Sequence, residues 1–485
     1  MKKQILLILL SFFLLSGCNN PVVPTPEGEE PTGEVTPPEE EGEGKGEEGQ
    51  EDDPPLPLTP EVVESVYGEP YLSRQYYLNH IGDIYSVWKK YQGKGITIAV
   101  IDMGFDTTHE DFKDIKGNSR ISDKSAYISY NGTISTQVGI NYAHDLGDSH
   151  GTFCAGVAAA GLNHKGVIGI APLAELMLIR VDKKPKSIAA AFKYAADNGA
   201  KVITISLGSY NYYTSGDLIN DGSDLTTVFE DATNYCYSKG VVICSAAGNG
   251  GLENRPTEYT YPGAASHVIG CGGLAANSSG EIWTGSSYNY TSQYQFADVY
   301  APADGMFNIC NYTNKGVHYL YDGGWNGTSF SSPIVAGMAA LYFEKYPSRT
   351  NVDFERDLYN SCHKITTSEI ARSDQLGYGR VDVARLLNET SSETVTVKVT
   401  SSWSNTYLYA WNSDLSLNKE LASWPGIKID GSYQIKLSDY DSVIFNNGSN
   451  QKSLDLLASS FIDGATYKIT SNMEQGCYLG EYIVS

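Results

Sequence analysis

From Gly95 onward the chain alternates short, unbroken apolar runs with stretches of helical period. Ile96–Ile101, Leu176–Val181, Val202–Leu207, Val241–Ser245 and Val268–Gly272 read as strands, with helices at Ser187–Asp197 and Thr226–Lys239 among them. Strands that are apolar on both faces must be covered on both, which predicts a parallel sheet between two helical layers, an α/β architecture. In such sheets ligands gather beyond the carboxyl ends of strands and beside helix N-termini. The polar residues at those places are therefore the first candidates for function.

Four stand out. Asp102 directly follows the Ile96–Ile101 run, so its carboxylate is partly buried and needs a partner. His150 opens Gly151-Thr152-Phe153-Cys154-Ala155-Gly156-Val157-Ala158-Ala159-Ala160, a small-residue segment that reads as a tightly packed helix. Asn249 follows Val241–Ser245 through Ala246-Ala247-Gly248, and Ser329 sits in Gly327-Thr328-Ser329-Phe330-Ser331-Ser332-Pro333 before a second helix through Ile334–Tyr342. Pro333 suits a first helical turn, where no backbone donor is needed. Taken singly, these residues have ordinary structural roles as caps, helix starts and turns. Their convergence on one edge of one sheet points to chemistry.

A serine hydroxyl is a poor nucleophile until an imidazole takes its proton. The imidazole in turn needs a carboxylate to hold its tautomer and stabilise the imidazolium. The oxyanion that follows needs preset donors. A helix N-terminus at Ser329 supplies a backbone N–H, and Asn249 can supply an amide.

The ordered pieces Ala99-Val100-Ile101-Asp102-Met103-Gly104 with His109-Glu110-Asp111-Phe112, His150-Gly151-Thr152, Ala246-Ala247-Gly248-Asn249 and Gly327-Thr328-Ser329 resemble the subtilisin-like serine proteases, the subtilases. The resemblance covers about residues 70–388 and implies a three-layer fold and peptide-bond hydrolysis through an acyl-enzyme. It makes Asp102, His150 and Ser329 the catalytic residues, Asn249 the oxyanion donor and Ser206, Leu207 and Gly208 an edge that pairs with substrate. Tyr261-Pro262-Gly263 would lie near the specificity pocket. No cofactor is required for this chemistry. Two positions depart from the family pattern: Phe153, with Cys154 next, replaces a histidine, and Phe330 replaces a methionine. The loop Leu162–Gly169 resembles the family's calcium-binding insertion but is shorter, which leaves room for a structural calcium with Asp111 as a candidate ligand. Little chain separates the upstream linker from Tyr71–Tyr77, which resembles a mature N-terminus, so folding without a pro-domain is expected.

After Leu387 the period changes to two, in Val395–Val399, Tyr407–Trp411, Tyr433–Leu437, Val443–Phe445 and Tyr467–Ile469. Short alternating strands predict a β-sandwich. Alternation sets Tyr407, Tyr409 and Trp411 on one face and leaves Leu408 and Ala410 for the core. With Trp424-Pro425-Gly426 and Val443–Gly448, this segment resembles the starch-binding modules of bacterial amylases. That implies α-glucan binding through Tyr407, Tyr409, Trp411 and Trp424; packing against the large domain is the other role open to the module.

Upstream, Lys2-Lys3 and an apolar run from Ile5 to Leu15 form a secretory signal, too short to span a bilayer. Its ending, Leu15-Ser16-Gly17-Cys18, resembles a bacterial lipobox and implies lipidation at Cys18, with attachment to a membrane or cell surface. Residues 19–60 hold 13 acids, one base and ten of the chain's 19 prolines, a repelling, extended linker. The 485 residues thus divide into a signal (1–18), a linker (19–58), a peptidase domain (59–388) and a β-sandwich (389–485). A net charge of −23 speaks against a nucleic-acid partner. The expected partners are a protein or peptide substrate and an α-glucan, and the expected state is a monomer. The seven cysteines after Cys18 show no metal spacing and read as small buried residues. Two other readings are a glycan-binding surface protein on an inactive scaffold and a processing protease for one exported peptide.

Overall fold

The computed structural model describes residues 68–485 apart from 136–148, 211–217, 277–280, 291–294, 366–372, 390–393, 413–418, 462–464, 475 and 484–485. Cys18, the signal and the linker lie outside the described residues.

A nine-stranded sheet forms the centre of the large domain. Its order runs Gly379–Arg380, Val299–Pro302, Val268–Leu274, Val242–Ala246, Val202–Ile205, Thr97–Asp102, Glu175–Val181, Ala126–Ile128, Ile134–Ser135. All neighbours pair in parallel except the last two strands, an antiparallel edge. The expected doubly covered sheet is present, and the pleat explains it. Along Thr97–Asp102, Ile98 and Val100 enter a core with the helices His150–Ala159 and Ser331–Lys345. Ala99 and Ile101 enter the opposite core with the helices Pro185–Asp197 and Leu225–Ser238. The helices His150–Ala159 and Ser331–Lys345 are buried nearly all round, as their small-residue sequences require.

The five predicted central strands and the helices predicted at Ser187–Asp197 and Thr226–Lys239 appear within two residues of their expected ends, while the one predicted at Ile334–Tyr342 runs three residues further at each end. Val202–Ile205 stops before Ser206, whose hydroxyl donates to the Ser329 carbonyl 2.7 Å away. The hairpin Met306–Asn314/Val317–Trp325 has no sequence expectation behind it; it packs on the His150–Ala159 helix, where Asn311 N–H donates to Ser149 Oγ at 2.7 Å.

In the small domain, two four-stranded sheets face each other over a core that includes Val397, Leu408, Ala410, Phe445 and Tyr467. The two domains share packing, since Leu457 belongs to the large domain's core and Asn79 Nδ2 donates to the Asp455 carbonyl at 2.7 Å. Among the described residues no helix is long and apolar enough to cross a membrane. Six of the seven described cysteines are buried, Cys477 is half-buried, and all are free thiols.

Candidate active site

Asp102 ends its strand fully buried, which would be costly without partners. It has two: Met103 N–H donates to Oδ1 at 2.7 Å, and His150 Nδ1 lies 2.9 Å from Oδ2. The close approach depends on Gly151. A Cβ there would stand 2.2 Å from the Gly104 carbonyl and 2.8 Å from Asp102 Cβ, so only glycine lets the helix start sit against the strand end. The His150 side chain remains about one-fifth exposed.

Ser329 is half-buried in the turn that leads into Ser331–Lys345. Its carbonyl accepts from Ser206 Oγ at 2.7 Å and from Cys154 Sγ at 3.5 Å, so two separate segments fix its backbone. Ligand atoms of Asp102, His150 and Cys154 all lie within 4.8 Å of one another. The two departures from the family pattern are filled by aromatic packing: Phe153 stacks on Trp325 at 5.0 Å and meets Phe330 at 4.5 Å, and Phe330 lies 6.1 Å from the His150 ring.

Asn249 follows the Val242–Ala246 strand. Its Oδ1 accepts from both the backbone N–H and the hydroxyl of Thr328, each at 3.0 Å. That commits the oxygen and turns Nδ2 toward Ser329. A point at the would-be Cβ of Gly327 lies 3.7 Å from Asn249 Nδ2 and 3.7 Å from Ser329 N, so the two donors converge on one space. Thr328 lies within the Gly327-Thr328-Ser329 motif, and its buried hydroxyl finds its role only in the fold.

Ser206 and Leu207 are buried and Gly208 is half-exposed, between Val202–Ile205 and the short Ser209–Tyr210 strand. Asp111 is buried, and its Oδ2 accepts from Val167 N–H at 3.2 Å.

In the small domain, Leu408 and Ala410 fill the core. On the other face Tyr409 stacks on Trp411 at 5.6 Å and meets Trp424 edge-on at 5.5 Å, with Trp424 half-exposed. Tyr407 shares that face but packs over Gly448, where a Cβ would come within 2.6 Å of its ring. The Tyr409 hydroxyl is pushed up to about 12 by burial and by the Glu420 carboxylate it bonds.

Residues 93–379 match the family model for the subtilase family (peptidase S8). The chain belongs to the subtilases. Residues 395–456 match starch-binding module 26. Over 263 residues the protein is 30% identical to subtilisin DY of Bacillus licheniformis, covering 53% of this chain and 80% of that one. It is also 30% identical over 306 residues to thermitase of Thermoactinomyces vulgaris, covering 61% of this chain and 92% of thermitase. Fervidolysin from Fervidobacterium pennivorans, a keratinolytic enzyme related to subtilisin, has a similar fold, with a TM-score of 0.52, 22% identity and coverage of 78% of this chain and 56% of its own. A lanthipeptide protease has a TM-score of 0.51 at 22% identity, over 67% of this chain and 97% of its own. This subtilase is therefore a serine endopeptidase joined to a starch-binding module.

Proposed function

We propose that Ser329 attacks the scissile carbonyl while His150 takes its proton and later returns it to the leaving amine. Asp102 holds the His150 tautomer and stabilises the imidazolium. Asn249 Nδ2 and Ser329 N–H receive the oxyanion of both tetrahedral intermediates, and water releases the acyl group from Ser329. The backbone of Ser206–Gly208 aligns an extended substrate. One observation carries this reading: the His150–Asp102 contact at 2.9 Å stands in one site with an amide whose oxygen is already occupied, so its N–H groups face Ser329. Casein hydrolysis tests it. In subtilisin itself, loss of the nucleophile costs about 10⁶-fold in turnover, so a Ser329→Ala variant as active as the parent would sink the mechanism.

The module, residues 389–485, serves as the glucan anchor of the peptidase domain, residues 59–388. Tyr409, Trp411 and Trp424 supply apolar faces for sugar rings, with Tyr407 at the margin. Titration calorimetry of the Ser329→Ala full chain with maltoheptaose is expected to show heat; a flat titration removes this part. The protein is exported and anchored through lipid on Cys18, a reading supported by Leu15-Ser16-Gly17-Cys18. Labelled fatty acid incorporated into the parent and not into Cys18→Ala is the expected result.

A further inference from the structure

The loop 160–169 follows the helix that carries His150 and passes over a group of buried acids. The family resemblance makes this the place for calcium, and calcium takes about six to eight oxygen ligands. The loop offers hydrogens instead. Glu69, 3% exposed, reaches into it, and Oε1 accepts from the N–H groups of Asn163 (2.6 Å) and His164 (2.7 Å). Its Oε2 accepts from Gly166 N–H at 3.3 Å. Lys165 N–H is taken by Asn163 Oδ1 at 3.0 Å, and Ile168 N–H by Gln75 Oε1 at 2.9 Å.

Two of the loop's carbonyl oxygens are occupied as well. The Gly166 carbonyl accepts from Tyr71 N–H at 2.8 Å, and the Ile168 carbonyl accepts from Gln75 Nε2 at 2.7 Å. Asp111 Oδ2 holds Val167 N–H, which leaves Asp111 Oδ1 as the buried carboxylate oxygen here without a hydrogen-bond partner. Of the side-chain oxygens of Glu69, Gln75, Asp111 and Asn163 around the loop, only Asp111 Oδ1 is uncommitted, far from the oxygen-rich, anionic shell that calcium takes, so the residues present do not fit the ion. A ring of inward N–H groups is instead a nest for an anion, and the chain supplies the anion itself. Burial raises the carboxyls of both Glu69 and Asp111, a cost that the N–H donors to Glu69 offset.

We infer that Glu69 is an internal staple: its carboxyl group organises the loop 160–169 in place of a cation, so the fold is independent of calcium and dependent on Glu69. Tyr71, two residues on, packs on Phe307 at 5.5 Å and Tyr321 at 4.9 Å. The staple therefore also ties the N-terminal segment to the hairpin beside the active site.

The test uses the full chain carrying Ser329→Ala, which prevents self-digestion and makes the outcome independent of the proposed mechanism. Melting midpoints in excess EDTA and in millimolar calcium are expected to coincide. Glu69→Gln, which turns one acceptor into a donor, is expected to lower the midpoint by about 5 °C in both buffers, and Glu69→Ala by at least as much. Amide hydrogen exchange in EDTA reports on the loop without any change at Glu69, and the amides of residues 163, 164 and 166 are expected to be protected. A midpoint that falls in EDTA and returns with calcium would overturn the inference. So would fast exchange at those amides, or a Glu69→Gln variant that melts with its parent.

Discussion

Thr328 holds Asn249 from two atoms, donating to the amide oxygen from both its backbone N–H and its hydroxyl, while the same hydroxyl accepts from Gly248 N–H at 3.1 Å. The residue before the proposed nucleophile thus locks the loop that brings the proposed second oxyanion donor. Thr328→Val keeps the shape, frees Asn249 Oδ1 from one bond and strands the Gly248 N–H. One lost hydrogen bond is worth about 1 kcal/mol, so kcat is expected to fall about fivefold with KM nearly unchanged. Steady-state kinetics on a peptide substrate decide it. A raised KM with kcat intact would mean that Thr328 supports ground-state binding and not the oxyanion.

Gly151→Ala tests the seat of His150. The added methyl meets the Gly104 carbonyl at 2.2 Å, a backbone atom that cannot step aside, so the helix start must lift from the strand. Overpacking of this kind costs about 1–3 kcal/mol of stability. The larger effect is expected on turnover, because the His150–Asp102 contact opens first. A variant with lowered denaturation midpoint and full kcat would show that the contact tolerates the shift.

Five of the nine strands of the central sheet were legible because they must be apolar on both faces, a pattern that survives without any tertiary knowledge, whereas short strands such as Ile134–Ser135 and Gly379–Arg380 carry no such run. The four polar candidates were legible because they punctuate that pattern at strand ends and helix starts. Thr328 and Gly151 were present in the quoted motifs, yet their roles depend on distances between segments far apart in the chain. The hairpin Met306–Trp325 was hidden for a different reason: Asn308, Asn311, Tyr312 and Asp322 break its alternation because their polar groups bond to neighbours such as Tyr77 and Asp106. Glu69 carried no signal at all. No motif singles it out, and only the folded loop reveals its partners.

In the module, the geometry ranks the four aromatic candidates. Trp411 and Trp424 both contact Tyr409, whereas Tyr407 is spent on Gly448. Trp424→Ala is expected to weaken maltoheptaose binding about tenfold, the value of one aromatic face. Tyr407→Phe, which keeps the ring over Gly448, is expected to leave the affinity within about twofold. Calorimetry on the Ser329→Ala background measures both. Equal losses in the two variants would contradict the ranking.

His80 makes the joint between the domains sensitive to acid. It lies at the end of the turn Tyr76–His80, buried, edge-on to Tyr76, with Nε2 3.6 Å from Asp455 Oδ2 of the module. Burial and the Arg380 guanidinium outweigh that carboxylate, which stands just outside hydrogen-bonding range, and lower His80 to about 3 from its ordinary 6.5. The folded protein therefore keeps His80 neutral where the unfolded chain would charge it. Its contribution is whole above pH 6.5 and is lost as the pH falls toward 3, amounting to about 2 kcal/mol at pH 5. Denaturant midpoints at pH 8 and pH 5, for the Ser329→Ala chain with and without His80→Asn, isolate this effect from the shared titration of carboxylates. The His80 chain is expected to lose about 2 kcal/mol more than the Asn variant over that interval; an equal loss in both would show that His80 takes up its proton in the folded protein.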